Sequence, residues 1–128
     1  MKTKILTAAA LAALSLSLAA PAVAHPQLVS SYPAPSATVG PTNRLTLTFT
    51  ERLMPQLSGI DLAMTGMPGM ANHAPMKIAG VRTTVAKDGK TLIAALPRPL
   101  AVGTYNVDWH VVSADTHRIA GSTTFTVR

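Results

Sequence analysis

Polar and apolar residues alternate along 44–50, with Leu45, Leu47 and Phe49 on one side and Thr46, Thr48 and Thr50 on the other. A period of two rich in β-branched residues predicts a half-buried strand. Residues 104–112 repeat the pattern: Tyr105, Val107, Trp109 and Val111 are apolar, while Asn106, Asp108 and His110 are polar. The alternation over 121–128 is weaker and carries Phe125 and Val127 on its apolar face. Segments 59–64, 78–85 and 91–96 are further predicted strands. Lys87-Asp88-Gly89-Lys90 predicts a hairpin turn, because Asp-Gly supplies the positive φ that such turns need. Pro33, Pro35, Gly40, Pro41, Pro97, Pro99 and Gly103 punctuate the remainder. Beyond residue 24 no stretch of about ten residues holds a helical period. The pattern predicts an all-β sandwich of immunoglobulin-like type with about seven short strands.

The amino terminus follows different rules. Met1-Lys2-Thr3-Lys4 is basic, residues 5–20 are apolar or small, and Pro21-Ala22-Val23-Ala24 follows. Ala22 and Ala24 fit the small-x-small rule for signal peptidase, so residues 1–24 read as a cleaved signal peptide and 25–128 as one exported domain. The apolar run falls short of the roughly 20 residues that span a bilayer. Removing Lys2 and Lys4 takes away two of the six net positive charges. The remaining cations are scattered singly, and aromatics make up only 4% of the chain. That excludes a phosphate-tracking stripe or a base-stacking platform, hence nucleic acid as a partner. The chain has no cysteine, which removes disulfides, thiolate metal sites and thiol nucleophiles together. The exported domain must hold itself with a core.

One segment fits neither strand nor core. Residues 64–76 read Met-Thr-Gly-Met-Pro-Gly-Met-Ala-Asn-His-Ala-Pro-Met, placing Met64, Met67, Met70, His73 and Met76 at every third position. On a helix this spacing would be a core stripe. Gly66, Pro68, Gly69 and Pro75 forbid a helix here. The ladder holds four of the six methionines. Thioethers with an imidazole are soft-to-borderline donors that select Cu(I) over Zn(II), Mg(II) or Ca(II). A flexible methionine patch for partner binding is the competing reading. Met54, upstream, reads as packing.

A second ligand set follows from cleavage after Ala24, which makes His25 the first residue. Its free amine and ring Nδ1 can chelate one metal, and an α-amine with an ordinary pKa near 8 gives up its proton to a metal cheaply. Pro26 has no amide proton, so the metal must complete its plane with ligands from elsewhere. Asp115 and His117 are the best candidates, lying on one face if the backbone between them is extended. Amine, two imidazoles and a carboxylate suit tetragonal Cu(II). Asp108 and His110 have the same spacing but alternate with the apolar residues of 104–112, and so read as an exposed strand face.

These features together resemble the CopC/PcoC family of periplasmic copper-resistance proteins. The resemblance rests on His25-Pro26-Gln27-Leu28-Val29-Ser30-Ser31, Phe49-Thr50-Glu51-Arg52-Leu53, the methionine-rich loop, Gly103-Thr104-Tyr105-Asn106-Val107-Asp108-Trp109, and Val112-Ser113-Ala114-Asp115-Thr116-His117. It implies a small Greek-key, cupredoxin-like sandwich or barrel with two copper sites: Cu(II) at His25, Asp115 and His117, and Cu(I) at Met64, Met67, Met70, His73 and Met76. It also implies a copper carrier in the periplasm rather than an enzyme. Its partners would be copper ions, an inner-membrane transporter of CopD type and other periplasmic copper-resistance proteins. Two departures stand out: Ala71-Asn72 separates Met70 from His73 where some relatives have one residue, and position 110 is His where relatives often carry Arg. The rival readings are a copper oxygenase built on the N-terminal histidine, which would leave the methionine ladder without a role, and a metal-independent interaction sandwich.

Overall fold

A computed structural model describes residues 25–128; the predicted signal peptide, 1–24, lies outside the described residues. Among the described residues, nine strands form two sheets: β1 Leu28–Tyr32, β2 Thr38–Val39, β3 Arg44–Phe49, β4 Gly59–Gly66, β5 Met76–Lys77, β6 Arg82–Val85, β7 Thr91–Ala95, β8 Gly103–Val112 and β9 Arg118–Val127. The first sheet has the order β1-β3-β7-β6 and the second β2-β9-β8-β4-β5. Every pairing is antiparallel except β2 with β9. The predicted all-β sandwich is thus the observed one, and β2 and β5 are two-residue additions to seven longer strands.

The alternating faces meet between the sheets. Leu45, Leu47 and Phe49 from β3 and Leu92 and Ala94 from β7 pack against Ile60, Leu62 and Met64 from β4 and Tyr105, Val107, Trp109 and Val111 from β8. Tyr105 stacks on Phe125 with centroids 5.4 Å apart, and Phe49 meets Trp109 edge-on at 5.1 Å. The Tyr105 hydroxyl donates to the Ala101 carbonyl at 2.6 Å, so the ring is buried without stranding its polar end.

Three local expectations change. Of the predicted strand 78–85 only Arg82–Val85 is strand, as β6; β5 ends before it at Lys77 and belongs to the other sheet. The crossing lies at residues 78–81, where Gly80 takes φ 77°. The 87–90 turn needs only one positive φ, at Gly89. Its loop is longer than a two-residue hairpin, and Asp88 serves as an acceptor: its Oδ1 receives the Lys90 and Thr91 amides at 2.8 and 3.0 Å. Those bonds, the Lys90 amide foremost, hold the Asp88 carboxyl below the usual range. Strand β1 went unpredicted because Leu-Val-Ser-Ser-Tyr has no period of two; its pairing with β3 is interrupted between Leu28 and Ser30.

Gly121 lies opposite Trp109 in the β8–β9 ladder. A Cβ at Gly121 would meet Trp109 Cζ2 and stand 2.7 Å from Cε2. The indole is held by Phe49 and cannot yield as a flexible side chain would. Gly121→Ala is expected to cost about 1–3 kcal/mol through overpacking. Gly40→Ala, with nothing within 4 Å of its Cβ position, is expected to melt like the parent. Thermal denaturation followed by Trp109 fluorescence checks both, and equal melting temperatures would contradict the packing argument.

Candidate metal centre

Three chain segments converge at the end of the sandwich where β8 finishes. The start of the described chain is pinned first: Pro26 is fully buried, the Gln27 amide donates to Thr50 Oγ1 at 3.0 Å, and the Thr50 amide returns a bond to the Gln27 carbonyl at 2.9 Å. The loop after β3 is pinned to the end of β8 by a Leu53–Ser113 bridge and by bonds from Met54 N to Val112 O and from Ala114 N to Arg52 O. Residues 113–117 form a tight turn, with the Ser113 amide donating to the His117 carbonyl at 2.9 Å and the Thr116 amide to the Ser113 carbonyl at 2.8 Å.

The turn brings His25, Asp115 and His117 together. The rings of His25 and His117 meet edge-on with centroids 4.8 Å apart. Asp115 Oδ2 stands 3.0 Å from His117 Nδ1, yet that nitrogen has no partner in hydrogen-bond geometry; the two are close but not aligned. The pairing does not come from extended backbone. Thr116 adopts φ 74°, a left-handed conformation that is costly for a β-branched residue, and the reversal folds His117 back beside Asp115. Asp115 also accepts from the buried Ser113 hydroxyl through Oδ1. That bond first, and the His117 ring next, hold the carboxyl down to about 2. Among the described residues, no three His, Asp or Glu side chains stand close enough to hold a metal alone. The side chains gather as two adjoining pairs and would need another donor.

The methionine ladder occupies the opposite end, where β8 begins. Met67 and Met70 exchange backbone hydrogen bonds at 3.0 and 2.9 Å across Pro68-Gly69. Gly69 has φ 81°, the conformation a Pro-Gly type II turn requires. Both side chains are exposed and line a surface groove with Val102, Gly103 and Thr104. Met64 pairs with Met76 across β4 and β5, but Met76 is exposed while Met64 is buried in the core. The Met64 methyl lies 3.0 Å from where a Gly103 Cβ would stand, while Met64 itself lines a separate groove with Ile78, Leu96 and Tyr105. The His73 amide donates to the Thr65 carbonyl at 3.0 Å, folding the loop back along β4. His73 Nδ1 lies 2.7 Å from the Ala74 carbonyl, which makes Nδ1 the protonated nitrogen. Nε2 then keeps its lone pair, buried and without a partner.

Other candidates fall elsewhere. Met54 lies at the His117 end, away from the ladder. Asp108 is exposed on the outer face opposite Asp61 and Ser122, and the His110 ring lies over Gly59. Glu51 lines a small groove with Arg52, Ser113, Ala114 and Asp115. Sequence reasoning missed the parts played by Ser113 and Thr116. A serine inside the apolar end of a strand was the available signal for the first; no signal existed for the second.

Comparison with known proteins identifies the family. A model of the CopC domain matches residues 28–128. Copper resistance protein C of Xanthomonas campestris pv. juglandis is 47% identical over 126 residues, covering 98% of this chain and 93% of that protein. Copper resistance protein C of Escherichia coli is 43% identical over 115 residues, covering 90% of each. The crystal structure of PcoC, a methionine-rich copper resistance protein from Escherichia coli, superposes with a TM-score of 0.74 at 41% identity, covering 82% of this chain and 100% of that one. The chain belongs to the CopC family.

The depressed Asp115 carboxyl has a testable consequence in the metal-free protein. A lowered folded pKa contributes stability in full above the ordinary value of 3.8 and loses it as pH falls through about 2. A carbon-detected NMR titration is expected to place the Asp115 midpoint near 2, and a midpoint at the ordinary value would refute the Ser113 contact as its cause.

Proposed function

We propose that this chain is a periplasmic copper carrier serving copper resistance, with copper as its cargo in two oxidation states. Cu(II) is held by the amine and ring of His25 with Asp115 and His117, once cleavage after Ala24 has freed the amine. That amine is the donor the side-chain pairs lack. Cu(I) is held by Met67, Met70 and Met76, with Met64 and His73 Nε2 completing the soft set. The observation that carries the reading is the segregation of hard N/O donors and soft thioethers to opposite ends of β8. Donors of these two kinds prefer different oxidation states.

The ten residues of β8 span about 30 Å at strand rise. That is too far for one ion to be shared, so reduction of bound Cu(II) by an external one-electron donor, or oxidation of bound Cu(I) by an external acceptor, releases copper from one end and leaves its recapture to another molecule or a partner. Delivery to or from an inner-membrane transporter of CopD type and other periplasmic resistance proteins fits such a release. No step requires bond-making on an organic substrate, so the chain acts as a carrier and not as an enzyme.

The test compares a chain beginning at His25 with the same chain acetylated at its α-amine. Acetylation removes the amine without supplying another beside it. Cu(II) affinity is expected to fall by about 100-fold or more, beyond the 10- to 100-fold cost typical of disturbing an outer partner, while Cu(I) affinity stays unchanged. Changing Met64, Met67 and Met70 together to Leu is expected to reverse the pattern. Chelator-competition titrations read both. Unaltered Cu(II) binding in the acetylated chain would overturn the hard site, and unaltered Cu(I) binding in the triple variant the soft one.

A further inference from the structure

Ser113 is almost fully buried, at 1% exposure, although it carries a hydroxyl and adjoins a solvent-facing turn. Its backbone is fixed on both sides: the amide bonds to His117, the carbonyl receives Thr116, and the residue bridges to Leu53. The hydroxyl is therefore a fixed point. It donates to Asp115 Oδ1; the His117 carbonyl, at 3.4 Å, is a poorer alternative for its single hydrogen. The His117 amide also approaches Oδ1, at 3.4 Å. Both donors of the turn thus address one carboxylate oxygen. The other, Oδ2, is left facing the His117 ring at 3.0 Å.

A carboxylate can bind a metal through one oxygen or two. An oxygen already accepting from a buried hydroxyl has less electron density to offer and cannot rotate toward a second acceptor without breaking that bond. We infer that Ser113 is a positioning residue that makes Asp115 a one-oxygen ligand, engaging Oδ1 and reserving Oδ2 for Cu(II). The inference rests on the Cu(II) site proposed above and deepens it. A chelating carboxylate would claim two positions of the metal's plane. A one-oxygen carboxylate claims a single position and leaves three for the amine and the two imidazoles. The hydroxyl thereby sets the donor count without touching the metal.

The experiment uses the exported form, residues 25–128, which contains all nine strands. Ser113→Ala, Ser113→Thr and Asp115→Ala are compared by Cu(II) competition and by electron paramagnetic resonance, with Cu(I) titration as an internal control at the other end. Ser113→Ala is expected to weaken Cu(II) about 10- to 100-fold and to shift the parallel hyperfine splitting. Ser113→Thr, which keeps the hydroxyl, is expected to restore both, and Cu(I) binding is expected to stay at the parent value throughout. Parent-like affinity and spectrum in Ser113→Ala, alongside Cu(II) loss in Asp115→Ala, would overturn the positioning role and spare the site. A loss that Thr fails to restore would also overturn it. Parent-like Cu(II) binding in Asp115→Ala would remove the carboxylate from the site and the inference with it. Infrared difference spectra of the unsubstituted protein, with carboxyl-labelled aspartate, decide the matter even if the alanine variant does not fold. Cu(II) is expected to produce the wide carboxylate splitting of one-oxygen binding, and the narrow splitting of a chelating carboxylate would refute the proposal.

Discussion

Burial of one face of β8 is the constraint from which the rest of the molecule follows. Tyr105, Val107, Trp109 and Val111 enter the core from that face, and the strand pairs along its full length with β9 on one side and over residues 104–110 with β4 on the other. Register is strongly specified wherever a face is buried, because a one-residue slip would turn every apolar side chain to solvent. Fixing β8 fixes which residues emerge at each end. Gly103 and Thr104 meet the methionine loop, while Ser113 and its turn leave from the other end. Apart from Met64 on β4 and Met76 on β5, the candidate metal ligands lie in loops, but their positions are set by a strand that contributes none of them.

A domain without cysteine must draw its rigidity from packing and backbone bonds. Of the aromatic contacts, Tyr105–Phe125 joins the neighbouring strands β8 and β9, and Phe49–Trp109 ties the two sheets together. The loop ends are closed by main-chain bonds that link residues far apart in sequence: 27 with 50, 52 with 114, and 54 with 112. On the carrier reading, such clamps suit an exported copper-binding protein. They hold a ligand cluster in place with groups that copper does not attack, where a disulfide or free thiol would compete for the metal or be oxidised by it.

The legible parts of the sequence were those governed by a simple period. Strands β3 and β8 announce themselves because one face is buried and the other is not, and the methionine ladder does so because Gly and Pro rule out the helix that would make it core. Period says nothing where a segment changes sheets, so residues 78–85 read as one strand although 78–81 are the crossing and only 82–85 pair. Nor does spacing carry conformation. Asp115 and His117 were expected together on extended backbone; they meet because Thr116 reverses the chain, and a β-branched residue is the last place a sequence reading would put a left-handed turn. Met64 shows the same limit from the other side: its spacing groups it with the exposed thioethers, while its place on β4 turns it into the core.

The two ligand sets differ most deeply in how far apart their members lie along the chain. The soft set is contained in 64–76, one hairpin and its return, and needs little beyond local turn chemistry to form. The hard set joins residue 25 to residues 115 and 117, so it exists only when the sandwich is closed and the start of the domain is clamped to Thr50. Loop closure over that separation has to be met by the whole core. On the carrier reading, Cu(II) capture therefore reports a finished fold with a free amino terminus, whereas Cu(I) capture reports only a local loop. A chain still attached to its leader would offer thioethers but no amine chelate, so export, cleavage and Cu(II) binding become successive conditions on the same residue, His25.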